Sequence, residues 1–316
     1  MVLSLDGGGV RGYLTAKILE NLEAVLNKLT GKEAPIGQRF DFIAGTSTGG
    51  IIAMGLATGR TAAEIFGFYE NLIPKVFNPK QATWNPYWWP KYQSDILRRE
   101  LEVLFKDPGT KKDLTLEDVS THVCITGVSL SNGQPRFHKS YYRPEHWDRL
   151  KETLANVALA TCAAPTYFPA HTLDKSTNVI DGGICANNPS VVAISDAPRF
   201  KVPSRRGTPP PRLSDIVLLS VGTGFQPSMP YDPNRLAQAG LLDWARNIAE
   251  VMFESQSWVA HYQSEYLLGA DNYLRINPKL DFPLMLDDAD PAHLKALKNL
   301  ASVTHIYNDF LERHFR

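Results

Sequence analysis

The chain has 316 residues, 43% of them hydrophobic, which suffices for the core of one large α/β domain or two small ones. Its 33 basic and 33 acidic side chains cancel, so the overall charge predicts neither DNA nor RNA as a partner and no permanent attraction to an acidic membrane. Three widely spaced cysteines, no apolar run of about 18 residues and a start without a signal-type stretch predict a cytoplasmic protein with reduced thiols.

A short strand, Val2–Leu5, leads into a glycine loop at residues 6–12 and then into a helix with apolar residues at helical spacing. Successive glycines at the start of a helix expose backbone N–H groups, which together can hold a negatively charged oxygen. Gly7, Gly8 and Gly9 are therefore candidates for an oxyanion hole. A tight turn without a chemical role is the alternative.

The glycine loop also has to be tested as a nucleotide-binding motif, because its glycines satisfy the pattern G-x-G-x-x-G. A dinucleotide site needs an acidic residue at the end of a second strand about twenty positions further on. Asp41 lies at the start of its strand and not at the end, and Glu33 follows no strand, so this requirement is not met. A P-loop is excluded as well, because no Gly-Lys-Ser or Gly-Lys-Thr follows the glycines.

A sharp turn with a serine at its centre follows a predicted buried strand at residues 40–44. Gly45 and Gly49 flank Ser47 in the pattern G-x-S-x-G, in which the turn from strand to helix is too tight for larger side chains. The helix predicted to start at about Ile51 would place its N-terminal N–H groups beside Ser47, where they favour a negative oxygen. Ser47 is thus the candidate nucleophile, with a plain glycine-rich turn as the alternative.

Thr61 and Glu64 form a capping box for a helix that is expected to reach about Asn71 and to stop before Pro74. An irregular aromatic stretch follows at residues 77–92, where the prolines exclude a regular helix. This stretch includes Trp84, Tyr87, Trp88 and Trp89. Because Trp and Tyr favour the membrane–water interface, it is either a lid that touches lipid or an aromatic cover over the core.

Asp181 is the second candidate for chemistry, because it ends a short apolar strand at residues 178–180 and precedes Gly182 and Gly183. We expect that strand to carry the carboxylate to the edge of the sheet that also holds Ser47. Ligands of open α/β sheets bind at that edge. An ordinary Asp-Gly-Gly turn is the alternative.

The rest of the chain predicts a buried strand at residues 216–221, a largely helical region at 236–268, a strand at Tyr273–Ile276 and a terminal helix from Asp290 to about His314. A basic, proline-rich segment at residues 201–212 is either a solvated loop or an anion site. There is no internal repeat and no clear linker. We therefore expect a single domain over residues 1–316, with a motif core at 3–224 and a helical completion at 225–316.

The glycine loop, the serine turn at residues 45–50 and the motif of Asp181 occur in an order and approximate spacing that resemble the patatin-like phospholipases. The segments 163–169 and 187–189 are also similar to that family. The resemblance implies an α/β protein with a three-layer α/β/α fold, a mostly parallel sheet and a Ser–Asp dyad that releases fatty acid from membrane glycerophospholipids. By position, it makes Ser47 the nucleophile and Asp181 the base.

The same resemblance assigns the oxyanion hole to Gly8 and Gly9 with neighbouring Gly7, and matches Arg11 to the family's arginine in this loop. It implies no cofactor and no metal. The start at the glycine loop and the segment 35–40 look similar to bacterial patatin-like effectors of anti-phage signalling, which a cyclic oligonucleotide switches on to degrade the cell's own membrane. This closer resemblance implies a cytoplasmic enzyme acting at the inner membrane face and leaves a homo-oligomer open.

Two other functions stay open at this point. A Ser–His–Asp esterase needs a histidine after the acid in chain order, and His261, His293 and His305 satisfy that order within helical patterns. A non-catalytic protein that binds an anion or a nucleotide would use the glycine loop only as a group of N–H donors.

Overall fold

The computed structural model describes residues 1–83, 85, 88–140, 149–173, 177–197, 211–226, 231–306 and 308–316, with the backbone alone at 245, 246 and 308. The strands in these ranges are β1 (Val2–Leu5), β2 (Phe42–Gly45), β3 (His122–Ser129), β4 (Pro135–Lys139), β5 (His171–Thr172), β6 (Asn178–Asp181), β7 (Leu218–Val221) and β8 (Tyr273–Ile276). The helices are α1 (Gly12–Thr30), α2 (Thr48–Ala57), α3 (Ala62–Val76), α4 (Asp95–Leu104), α5 (Leu154–Thr161), α6 (Gly183–Ala186), α7 (Ser190–Asp196), α8 (Pro233–Ala237), α9 (Leu241–Leu268), α10 (Pro291–Val303) and α11 (Asn308–Phe315).

All eight described strands belong to one sheet, in the order β5-β6-β3-β2-β1-β7-β8, with β4 paired to β3 off this path. The strands β3, β2, β1, β7 and β8 run parallel to one another. Both β4 and β6 run antiparallel to β3, and β5 runs antiparallel to β6. The predicted α/β class with a mostly parallel sheet is therefore confirmed.

The central strands are buried on both faces, as parallel strands usually are. Leu3 and Leu5 pack into an apolar cluster with the helices α1, α2 and α3. Val2 points to the other face and packs with Ile194 of α7. Helices on both sides of one sheet give the three-layer arrangement that the sequence predicts.

One edge of β3 brings two distant parts of the chain together. The strand β4 pairs with Cys124–Val128 of β3, while β2 pairs with the first half of β3 and β6 with its second half. Because β4 occupies one edge, β2 and β6 must share the other edge. Gly45 at the end of β2 pairs with Ile125, and Asp181 at the end of β6 pairs with Gly127, so the two strands end facing each other.

The helix that follows Thr61 is longer than predicted. Its capping box is present, since the Glu64 N–H donates to Thr61 Oγ1 at 3.2 Å and the Thr61 N–H donates to Glu64 Oε2 at 2.8 Å. Pro74 does not stop the helix, which continues to Val76. A proline removes one N–H donor and crowds the turn before it, and in the last turn of a helix that loss is limited to a single bond.

Two helical regions are divided where the sequence predicts continuity. The region 236–268 falls into α8 and α9, and the terminal helix falls into α10, which Asp290 caps, and α11. Trp84 and Tyr87 of the aromatic stretch, and residues 201–210 of the basic segment, lie outside the described residues. Within the described ranges, no helix combines the length and the hydropathy that crossing a bilayer requires.

Candidate active site

Ser47 stands at the turn between β2 and α2, where its backbone is strained. Its φ of 53° lies in the left-handed region, which non-glycine residues rarely adopt. Gly49 must be a glycine here, because a Cβ at this position would overlap the carbonyl of Leu5 and lie 2.5 Å from the carbonyl oxygen of Asp6. The turn that the G-x-S-x-G pattern predicts, with Gly45 as the last residue of its strand, is thus present.

Ser47 and Asp181 meet although 134 positions separate them. The Ser47 hydroxyl donates a hydrogen bond to Asp181 Oδ2 at 2.7 Å. The N–H of Gly183 donates to the other carboxylate oxygen at 2.7 Å, while the Ser47 N–H donates to Thr161 Oγ1 at 2.8 Å. Ser47 is 8% exposed and Asp181 1% exposed, so the pair lies almost outside the reach of bulk water.

Burial raises the pKa of Asp181 to about 7, even though the Gly183 N–H and the Ser47 hydroxyl favour the carboxylate. Near neutral pH the protonated and ionised forms of this carboxyl are therefore similarly populated. A group in that condition can both accept and return a proton, which is what general acid–base catalysis requires.

The glycine loop runs beside Ser47, with a Cβ at Gly7 falling 3.3 Å from the Ser47 Cβ. The N–H of Gly7 is already used, since it donates to the carbonyl of Asn187 at 3.0 Å. Gly8 and Gly9 stand at the start of a short 3-10 turn, where the first N–H groups have no acceptor within the helix. Gly9, with φ of 56°, packs against the Leu286 carbonyl and lines the same cavity as the dyad.

The cavity that contains Ser47 and Asp181 is apolar and narrow, with a volume of about 50 Å³. Its wall is formed by Ile51, Tyr69, Leu72, Ile73, Val76, Phe77, Leu97, Ala164, Tyr167, Phe168, Phe253 and Leu286. Side chains of this kind suit a hydrocarbon chain, and they exclude the water that would otherwise solvate the dyad.

A second cavity, of about 210 Å³, lies against the same loop and is polar. Asp6 receives two hydrogen bonds from Arg275 there, at 2.8 and 2.5 Å. Arg11, the residue that matches the family's arginine, is 3% exposed, and its Nη2 lies 3.9 Å from Glu250 Oε2. Arg11 therefore lines the polar cavity and ties the loop to α9.

The three histidines of the alternative triad lie away from the dyad, since none of them is among the residues that line its cavity. His261 lines the polar cavity, with its Nδ1 3.0 Å from the Tyr273 hydroxyl. His293 pairs with Asp288 at 3.0 Å, and His305 follows the end of α10. Among the described residues, no three His, Cys, Asp or Glu side chains converge as a metal site would require.

Several residues around the site have no signal in the sequence. Thr161 fixes the Ser47 backbone and Cys162 lines the dyad cavity. Glu250 of α9 faces Arg11, which is 239 positions earlier in the chain. Arg275, the partner of Asp6, is 269 positions away from it. Their roles arise from the tertiary fold, so no local pattern marks them.

A family model described as patatin-like phospholipase matches residues 3–194 of this chain. The cGAMP-activated phospholipase of Vibrio cholerae is 32% identical over 324 residues, which cover 95% of this chain and 88% of that protein. Patatin-like protein 4 of Arabidopsis thaliana is 32% identical over 340 residues, covering 95% of this chain and 81% of that protein. The structure of VipD from Legionella pneumophila is 14% identical with a TM-score of 0.45, covering 99% of this chain and 67% of VipD. The chain belongs to the patatin-like phospholipase family.

Proposed function

We propose that this protein is a phospholipase that releases fatty acids from membrane glycerophospholipids through an acyl-serine intermediate, with Ser47 as nucleophile and Asp181 as base. The 2.7 Å hydrogen bond from the Ser47 hydroxyl to Asp181 carries this proposal. A nucleophile within hydrogen-bond reach of its base is the arrangement that acyl transfer needs. The apolar cavity around the pair supports a lipid as the substrate.

In the first step, Ser47 Oγ attacks the ester carbonyl while Asp181 Oδ2 takes the hydroxyl proton. The negative oxygen that develops is held by the N–H groups of Gly8 and Gly9, and one such donor contributes about 3 kcal/mol to lowering the barrier. Asp181 then returns the proton to the leaving alcohol. In the second step, water attacks the acyl-serine and gives a proton to Asp181, which passes it to Ser47 Oγ as the acyl–oxygen bond breaks and the fatty acid leaves.

The size of the dyad cavity bears on regulation. The cavity beside the dyad is narrow, at about 50 Å³, and we propose that its wall moves outward to admit a fatty acyl chain. Opening of this kind is a step that an activator can control, and two relatives, from Vibrio cholerae and Escherichia coli, are described as cGAMP-activated phospholipases.

We therefore extend the proposal to activation by a cyclic oligonucleotide, followed by degradation of the cell's own membrane from its cytoplasmic face in antiviral defence. The activator would shift the population toward the open cavity, which requires that it bind the open form more tightly than the closed one.

A covalent serine probe tests the chemistry. A fluorophosphonate is expected to label the wild-type protein with cGAMP present, to spare Ser47→Ala, and to label the control Ser302→Ala as it labels the wild type. If Ser47→Ala is labelled equally or keeps its ester hydrolysis, the proposed role of Ser47 as nucleophile fails. If ester hydrolysis is lost in His261→Ala but kept in Asp181→Asn, the Ser–Asp dyad is replaced by the histidine triad.

Mass spectrometry of lipid products tests the activation separately. Phospholipid vesicles incubated with the protein should release fatty acid faster once cGAMP is added. A response that stays flat across a broad panel of cyclic nucleotides contradicts the activation, while serine labelling would still report on the hydrolase.

A further inference from the structure

The helix α9 is apolar on two opposite faces. Its inner face is buried in the protein and includes Ala249, Phe253, Ala260 and Leu268. Its outer face is exposed to solvent along the whole length of the helix, which is 28 residues or about 42 Å. Tyr266 is 92% exposed and Leu241 84% exposed, values far above those of an ordinary apolar residue.

Apolar residues follow this outer face in a line, which we call the outer stripe; they are exposed except for Met252, which is half-buried. It consists of Leu241, Ile248, Met252, Val259, Tyr262 and Tyr266. With Ser255 included, the positions from 248 to 266 alternate at steps of four and three, and Leu241 precedes Ile248 by seven. This is the heptad period of 3.5 residues by which helices pair in coiled coils, sustained here over nearly four heptads.

The outer stripe cannot turn inward, because contacts on the other face of α9 fix its rotation. Gln256 Nε2 donates to the carbonyl of Ile184 at 2.6 Å, and Ser257 Oγ accepts from Asn187 Nδ2 at 2.9 Å. Glu250 faces the buried Arg11. The stripe therefore faces solvent among the residues that the structure describes.

The charges of α9 favour a protein partner over a lipid surface. Helices that lie on membranes carry Lys and Arg on their polar face, opposite the apolar one. The sequence of α9 has four acidic residues and one basic residue, Arg246. Glu250 is buried against Arg11 and Asp243 pairs with Arg235 at 3.1 Å, so no described Lys or Arg side chain of α9 is there to attract anionic headgroups, whereas a second apolar helix needs none.

We propose that the outer stripe pairs with the outer stripe of a second copy of this chain, as a helix-to-helix contact in a two-fold symmetric dimer. Such an interface is self-complementary, since the same residues stand on both sides. Two helices about 42 Å long and about 10–12 Å wide would cover on the order of 500 Å² on each copy. The total of about 1,000 Å² reaches the lower limit for a specific interface, and Trp244 and Trp258, which flank the stripe, would extend it.

The test is the mass of the full-length protein in solution, measured by sedimentation. The wild type should have twice the 35.2 kDa of one chain, and Val259→Glu and Tyr266→Glu should each give the mass of one chain. The matched control is Val103→Glu on α4, because Val103 is 73% exposed and lies off the stripe. It should stay dimeric. Far-UV circular dichroism and thermal unfolding should show all variants folded, and Tyr266→Ser replaces any variant that is not.

A wild type that sediments as a single chain at every concentration overturns the proposal, as do stripe variants that stay dimeric like the control. If the wild type is a monomer and the stripe variants lose binding to phosphatidylglycerol vesicles, the stripe is a membrane contact and the dimer is wrong. The mass measurement needs no catalysis. Failure of serine labelling would therefore leave the dimer standing, and loss of the dimer would leave the labelling result unaffected.

Discussion

Asp6 and Asp181 are both buried carboxyl groups at the ends of strands beside the glycine loop, with 2% and 1% of their surface exposed. They differ in their partners. Arg275 donates to both oxygens of Asp6, whereas among the described residues Asp181 accepts from the Ser47 hydroxyl and the Gly183 N–H and faces no Lys or Arg within ion-pair distance. Both carboxyl groups are therefore buried, and they differ in whether a cation lies beside them. Asp6, paired with Arg275, holds the loop in place, whereas Asp181 is suited to act as a base.

The pair at Asp6 is stable as an ion pair. Burial alone would lower the pKa of Arg275, but the Asp6 carboxylate raises it above its usual value. The same guanidinium also donates to Ser220 Oγ at 2.7 Å, which links β8 to β7. The hydrogen bonds of Arg275 thus hold Asp6, the first residue of the glycine loop, in place, while Asp181 has a pKa of about 7.

The largest expected effect is the loss of ester hydrolysis when Asp181, the carboxyl group without a cation, is replaced. Asp181→Asn keeps the shape of the side chain but removes the base, so ester hydrolysis should fall by about 10⁴-fold, as it does when a buried aspartate of a catalytic triad is changed to Asn. The rate is measured on a soluble ester under activating conditions. Asp271→Asn, a change at the surface, should leave the rate unchanged, and equal rates in the two variants would contradict the proposed role of Asp181.

Breaking the pair of Asp6 and Arg275 should lower the free energy of unfolding. Arg275→Met leaves Asp6 as a buried carboxylate without a cation, which should cost about 3–5 kcal/mol in the free energy of unfolding measured with urea. Arg313→Met is the control, because its pair with Asp271 is exposed and such pairs contribute less than about 1 kcal/mol. Adding Asp6→Asn to Arg275→Met should recover part of the loss. Equal losses in the two single variants would mean that Asp6 and Arg275 do not act as a buried pair.

A smaller expected effect is a pH dependence of stability that arises from Asp181. Because the folded protein raises the pKa of Asp181 to about 7, from about 3.9 in an unfolded chain, the folded state holds a proton that the unfolded state releases between these values. Stability from this group is present at low pH and is lost as the pH rises, by about 1.4 kcal/mol for each pH unit between about 4 and 7. Asp181→Asn has no such loss, so its stability relative to the wild type should increase across that range.

The difference is obtained from urea unfolding of both proteins at pH 5 and pH 8. A constant difference between the two proteins would place the pKa of Asp181 in the folded protein below that window. Ester hydrolysis by the wild type should rise over the same range, because only the ionised carboxylate accepts the Ser47 proton.

Features that depend on short stretches of chain could be predicted from the sequence. The turn at Ser47 and the capping box at Thr61 were predictable because they need only a few adjacent residues. The relation between Ser47 and Asp181 came from a resemblance in motif order. The register that brings them together on β3 has no local signature.

Long-range partners could not be predicted, because their identity depends on the completed fold. Nothing in the sequence distinguishes Arg275 from the other arginines. The pairing of β8 with β7 in the folded chain places it beside Asp6. Pro74 illustrates the opposite case, in which a local rule is correct but its cost is small enough for packing to override it. The apolar residues of α9 at steps of three and four can be read from the sequence. That the outer stripe faces solvent follows only from the burial of the opposite face in the structure.

The shared edge of β3 has a consequence for how this chain can change over evolution. Pairing with Ile125 and Gly127, two positions apart on one rigid strand, fixes the ends of β2 and β6. Residues 58–121 and 140–177 leave this edge and return to it, so their length does not enter the separation of hydroxyl and carboxyl. Insertions or deletions in the surface turns of those connections, away from Thr161 and the wall of the dyad cavity, can therefore diversify the surface while the proposed chemistry is inherited unchanged.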